Sequence, residues 1–217
     1  MERSVSLTRT EHSVPFVKLS SMRQDARDNR EAIVTAARSL LIDVGPGVSM
    51  RAIAKEAEVG VATATRHFPE RIDLLDAIGE HAVEDINHVI DRHLDEFADV
   101  PRNAWRQATH EIGDLKHAAL AQAIFADSMS DPATIKRREP MIEKRIREIR
   151  ACYNRLLDPA KAAHLCPEDL DPIEFHIGLG VVTRPLPAGV PVNNVAKNLV
   201  PNLIDLLLDG LEQRAQG

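Results

Sequence analysis

Aromatic side chains make up only 3% of this chain: one Trp, one Tyr and five Phe in 217 residues. The apolar weight falls instead on Ala, Leu, Ile and Val, a mix that favours packed helices over a β-sandwich. Two cysteines, Cys152 and Cys166, are too few for a disulfide framework. No run of about 18 apolar residues occurs, which excludes a transmembrane helix. The opening MERSVSLTRTEHSVPF has no apolar stretch of signal-peptide length. A cytoplasmic, reducing location with no membrane partner is therefore expected. Also missing are G-x-S-x-G, a phosphate-binding glycine loop and His-Glu-x-x-His. Nothing marks an enzyme, and no cofactor is expected. Positive charge is in deficit too: 27 Lys and Arg against 33 Asp and Glu, a net −6. A whole-chain balance says little about one small surface, however. Arg23, Arg27, Arg30, Arg38, Arg51, Lys55, Arg66 and Arg71 all fall in the first third of the chain, and the acidic surplus lies later.

What is present begins with residues 49–68, SMRAIAKEAEVGVATATRHF. Met50, Ile53, Ala54 and Ala57 have the i, i+3, i+4, i+7 spacing of one buried helix face. Ser49 can cap that helix by accepting an orphan N–H. Glu58-Val59-Gly60 interrupts the pattern; Gly60 is free to take unusual backbone angles and can cap the next helix. A second short segment, Val61 to Phe68, stops at Pro69. Two short helices joined so tightly must cross steeply, so the second projects outward. Its polar side chains, Thr63, Thr65, Arg66 and His67, suit phosphates and base edges.

This stretch resembles the tetracycline-repressor (TetR) family of transcriptional regulators, from about Asn29 to Ile78. The resemblance covers the preceding helix (REAIVTAARSLLIDVGPG), the helix-turn-helix and the following FPERIDLLDAI; its most diagnostic piece is Arg66-His67-Phe68-Pro69 with Leu74-Leu75 beyond. It implies an all-α fold: an N-terminal three-helix DNA-binding domain and a C-terminal helical domain for ligand binding and dimerisation. The DNA contacts it implies are Ser49, Arg51, Val61, Ala62, Thr63, Thr65, Arg66, His67 and Arg71, with His67 and Arg71 at positions that usually touch phosphate. Three departures stand out. Glu58 and Ala62 replace usual glycines, and Ala64-Thr65 replaces a usual Leu-Tyr whose Tyr contacts phosphate. Glu58 adds negative charge near the DNA face and invites a strained backbone.

Residues 1–22 read as a flexible polar arm, 23–78 as the DNA-binding domain and 79–217 as the second domain. Helix 1 is expected over about 24–44, ended by Gly45-Pro46-Gly47. A long helix follows over about 70–98, then helices near 101–117, 118–127, 132–157, 172–182 and 193–214. Pro140 should bend or start its helix, and Pro159, Pro167 and Pro172 should punctuate the connection after it. Ile173, Ile177 and Val181, with Leu199, Leu203 and Leu207, form apolar faces too extensive for one small domain to hide. Core burial is the alternative; the resemblance favours a homodimer through the last two helices.

The resemblance also implies a pocket for a small-molecule effector. Trp105, His110, Leu115, Phe125, Met129, Tyr153, Phe175 and His176 are the candidate lining residues, each with ordinary core packing as its alternative. His81, Glu84, Asp85 and His88 share helical spacing, but a solvated face explains them better than a metal. The basic run from Lys136 to Arg150, interleaved with Glu139, Glu143 and Glu148, reads as a solvated face. The expectation is a ligand-released repressor that binds a palindromic operator on double-stranded DNA as a homodimer. The alternative is a small-molecule-binding or protein-interacting helical dimer with weak or lost DNA binding.

Overall fold

The computed structural model describes residues 16–128, 132–184 and 196–217. Among these residues every regular element is helical. The helices are α1 (Phe16–Asp43), α2 (Met50–Glu56), α3 (Val61–His67), α4 (Arg71–His93), α5 (Pro101–Asp114), α6 (His117–Ser128), α7 (Pro132–Ala162), α8 (Pro172–Val182) and α9 (Leu199–Gln216), with a 3₁₀ turn at Asp95–Ala98.

Local chemistry explains most boundaries. Gly45 and Gly47 hold φ of +95° and +92° in the turn after α1, angles that L side chains avoid. The Ser49 side chain accepts the Ala52 N–H at 3.2 Å and caps α2. Glu70 and Asp73 form a reciprocal capping box at the start of α4. Asp171 accepts from Ile173 and Glu174 at 2.7 and 3.2 Å, with Pro172 in the first turn of α8.

Several boundaries differ from the sequence expectation. Helix α1 begins at Phe16, inside the stretch read as an arm. Helix α4 ends at His93, and the chain tightens into the 3₁₀ turn where a continuous helix to 98 was expected. The last helix starts at Leu199, and residues 193–195 lie outside the described residues. Pro140 and Pro159 both sit inside α7, which runs to Ala162. Leu156, Leu157 and Ala160 are fully buried, so packing holds the helix through a proline that costs it a backbone bond.

The apolar side chains form two cores. The N-terminal core gathers Ile33, Val34, Ala37 and Leu41 of α1, Ile53 and Ala54 of α2, Ala64 and Phe68, and Leu74, Leu75 and Ile78 of α4. The C-terminal core gathers Ile86, Val89 and Ile90 of α4 with Trp105, Tyr153, Leu156, Phe175, Ile204 and Leu208. Helix α4 serves both, at about 1.5 Å per residue a rod of roughly 35 Å. Leu120 of α6 belongs to the N-terminal core. Close approach of α5, α8 and α9 depends on Gly113: a Cβ there would meet Ile204 Cδ1 at 2.8 Å and Thr183 Cγ2 at 3.2 Å.

Candidate nucleic-acid interface

Helices α2 and α3 are joined by a Schellman turn: Val59 N–H donates to Ala54 O at 2.9 Å and Glu58 N–H to Lys55 O at 3.2 Å. The left-handed position of that motif is Glu58, at φ +55°, where glycine is favoured. Gly60, to which the sequence assigned the unusual angles, is ordinary extended backbone at φ −67° and caps α3. Glu58, with Asp28, Glu31 and Glu56, lines an open groove between α1 and α2. Its charge thus sits on an acidic flank of the unit.

Ala64 and Phe68 anchor α3 inward, and the rest of the helix faces solvent. Val61, Ala62, Thr65 and Arg66 are exposed, and Thr63 and His67 are half-buried. Arg51 is exposed on α2. Ser49 is also exposed, and its cap uses an acceptor lone pair, so its hydroxyl proton is free to donate. Thr65 is different. Its hydroxyl donates to Val61 O at 3.0 Å, so it can accept from a base edge but has no proton for a phosphate unless that bond breaks. Arg71, placed on phosphate by the resemblance, donates to Val48 O at 2.6 Å and ties α4 to the chain just before α2. That bond makes it a strut of the motif.

The sequence reading left Arg30 out of the contact set. Its guanidinium lies over the Phe68 ring, 4.8 Å from the centroid, at the end of α3. The pair is separated by 38 positions, beyond any helical spacing rule, so only the fold brings them together. Among the described residues Arg27, Arg30, Arg51, Lys55 and Arg66 pair with no carboxylate.

The C-terminal candidates do not gather in one place. Trp105 stacks on Phe175 at 5.1 Å, and Tyr153 meets Phe175 edge-on at 5.8 Å. His176 Nδ1 lies 3.2 Å from the Tyr153 hydroxyl. Burial, aided by nearby His117, pushes the His176 imidazole down to about 4, so it is neutral at pH 7. Burial pushes the Cys152 thiol up to about 12 and Cys166 to about 11, so neither is a reactive thiolate. His110 instead faces Asp205 of α9 at 2.8 Å. Leu115 packs against the core, Phe125 is 59% exposed, and Met129 lies outside the described residues. Among the described residues no group of His, Cys, Asp and Glu has metal-binding geometry.

On α8 and α9, Ile177 and Val181 are 58% and 68% exposed, Leu199 and Leu203 are 39% and 36%, and Leu206 is 68%. Ile173 is half-buried, and Leu207 packs inward against the core, its neighbour Leu206 taking the outward place. Among the described residues no helix is long and apolar enough to cross a membrane.

Residues 33–78 match the model of bacterial regulatory proteins, tetR family. An HTH-type transcriptional regulator of Staphylococcus aureus is 38% identical over 77 residues, 35% of this chain. The matched segment spans 36%, about a third, of that relative's length. Among solved structures, a TetR transcriptional regulator from Streptomyces coelicolor aligns over 84% of this chain and 97% of its own, at 26% identity and TM-score 0.60. A TetR transcription regulatory protein from Mycobacterium vanbaalenii shares the fold over 85% of this chain and 97% of its own, at 22% identity and TM-score 0.54. The motif and the whole-chain architecture agree: residues 33–78 match the tetR family of bacterial regulatory proteins, and the chain around them has the fold of a solved TetR transcriptional regulator.

Proposed function

We propose that this protein is a homodimeric transcriptional repressor of the cytoplasm that binds a palindromic operator and is released by a small molecule. The observation that carries the reading is the set of cations left free around α2 and α3. An unpaired arginine gains from a phosphate or a guanine edge, and a paired one must first give up its carboxylate. Helix α3 would enter the major groove. Thr63, Thr65 and Arg66 would face base edges, and Ser49, Arg51, His67 and Arg30 would face the backbone. Two-fold pairing through the exposed apolar faces of α8 and α9 would set two such helices about one turn of DNA apart. The effector would act by preferring a conformer whose helices miss that spacing.

A fluorescence-anisotropy titration of the DNA preceding its own gene, against unrelated DNA of equal length, tests the reading. The expected result is selective binding, weakened by Arg66→Ala. Equal and weak binding to both would favour the helical dimer that has lost DNA recognition, for which Thr65 and Glu58 are the specific grounds.

A further inference from the structure

The two cores meet along α4, between Ile78 and Ile86. The stretch between them is Gly-Glu-His-Ala-Val-Glu-Asp, in which Val83 alone is buried, and Val83 belongs to neither core. The junction is instead crossed by ion pairs. Arg38 of α1 pairs with Asp85. His117, the first residue of α6, sets its Nε2 3.6 Å from the same carboxylate. Arg138 of α7 reaches Asp76 at 3.0 Å, and Arg145 donates to the Asp76 carbonyl at 3.3 Å and lies 3.9 Å from Glu80. The basic side chains are well covered: Arg38, Arg138 and Arg145 are 21%, 7% and 15% exposed, and the His117 imidazole is 12% exposed. Burial raises the Asp85 carboxyl, and His117 and Arg38 outweigh it, leaving the group below its ordinary value. Three separate helices therefore converge on three carboxylates of α4, Asp76 just before this stretch and Glu80 and Asp85 within it.

Charge pairs at this depth are directional. They hold a helix at one angle, where an apolar seam would tolerate sliding. The left-handed Lys116, φ +56°, immediately precedes His117 and turns α6 back across the junction. We propose that Asp76 and Asp85 are positioning residues: through this collar they fix the tilt of the N-terminal core on the C-terminal core. In a dimer, that tilt sets the separation of the two recognition helices and so the half-site spacing that is accepted. The second step rests on the DNA-binding reading above; the first does not.

Hydrogen–deuterium exchange of the full-length protein tests the first step without DNA. In Asp85→Asn, amides of α1 to α3 should exchange roughly tenfold faster while those of α5 and α8 hold their rates. Asp76→Asn provides the same comparison should Asp85→Asn fold poorly. Equal acceleration of both cores, or none, overturns the collar. The second step is read on palindromes that differ by single base pairs in half-site spacing. Asp85→Asn and Arg38→Gln should flatten the spacing preference of the unmodified protein, and Arg38→Lys should keep it. A preserved preference in Asp85→Asn overturns that step. If the unmodified protein binds no palindrome, the regulator reading fails and the exchange result alone decides whether the collar joins the cores.

Discussion

The two halves of the molecule leave opposite things unsatisfied. Around α2 and α3 the large apolar side chains apart from Val44 and Val61 are mostly buried, and the cations Arg27, Arg30, Arg51, Lys55 and Arg66 are free of carboxylates among the described residues. In the C-terminal half the cations along the helix–helix seams are tied down, and Lys116, Lys136, Arg184, Lys197 and Arg214 pair with no carboxylate among the described residues. Arg102 and Arg106 of α5 pair with Asp205, Asp209 and Glu212 of α9. Arg138, Lys144, Arg145 and Arg155 of α7 pair with carboxylates of α4. What α8 and α9 leave exposed is Ile177, Val181, Leu199, Leu203 and Leu206. A surface of free cations is complementary to a polyanion, and a stripe of free aliphatics is complementary to another such stripe. One chain thus carries two incompatible surfaces, kept apart by the length of α4.

Breaking the apolar half should have the largest effect. Leu203→Glu would bury a charge in the dimer and cost several kcal/mol of association. Analytical ultracentrifugation should show a dimer become a monomer, with operator binding lost although the helix-turn-helix is untouched. A variant that stays dimeric would move the interface elsewhere.

Acid should separate the halves next. His176 takes up its proton near 4 in the fold and near 6.5 when unfolded. Between those values the unfolded chain binds more protons, so stability falls as pH falls through that window and the loss levels off below it. The full shift corresponds to roughly 3 kcal/mol. Asp85, Glu111 and Asp205 are held below the ordinary carboxylate value, and their contributions are lost only at lower pH. Urea unfolding at pH 7 and pH 4.5 should show this loss in the unmodified protein and much less of it in His176→Gln. Equal losses would remove His176 as the source.

The motif was legible in sequence because its determinants are local. Helix α2, its Ser49 cap and the stop at Pro69 follow from spacing within a few residues. The α4–α7 arrangement was not. Glu70 pairs with Arg137, Glu80 with Lys144 and Asp91 with Arg155. The two helices run parallel with partners more than 60 positions apart, so Arg137, Arg138, Lys144 and Arg145 of the basic run form a helix–helix seam, and Lys136 and Arg147 remain on the solvated face. Pro159 misled for a related reason: local propensity favours a break, and burial of Ala160 and its neighbours outweighs it. The aromatic candidates Trp105, Tyr153 and Phe175 were chosen by type. The fold packs them on one another, a choice that rests on contacts spanning 70 residues.

Arg66→Ala should weaken specific binding by roughly 1–3 kcal/mol if the side chain reads a base edge. Arg106→Ala, a paired cation, should leave DNA affinity unchanged; an equal loss in both would erase the contrast between the halves. A smaller effect is expected at Glu58. Glu58→Gly relieves a left-handed non-glycine residue and should raise stability by about 1 kcal/mol, seen as a higher Tm. Because Glu58 lines the acidic α1–α2 groove, its effect on DNA affinity should be a modest gain. A lower Tm would show that the carboxylate makes a contact worth more than the strain.

The contrast between free and paired cations is tested most directly by the salt dependence of DNA binding. Plotted as log affinity against log salt, the unmodified protein should give a steep negative slope, about −0.9 for each phosphate neutralised. Arg30→Ala and Arg51→Ala should each make that slope shallower by about one unit, and Arg102→Ala should leave it unchanged. Identical slopes for all four proteins would mean that the free cations of the helix-turn-helix unit are not held for DNA, and the account would fail at its centre.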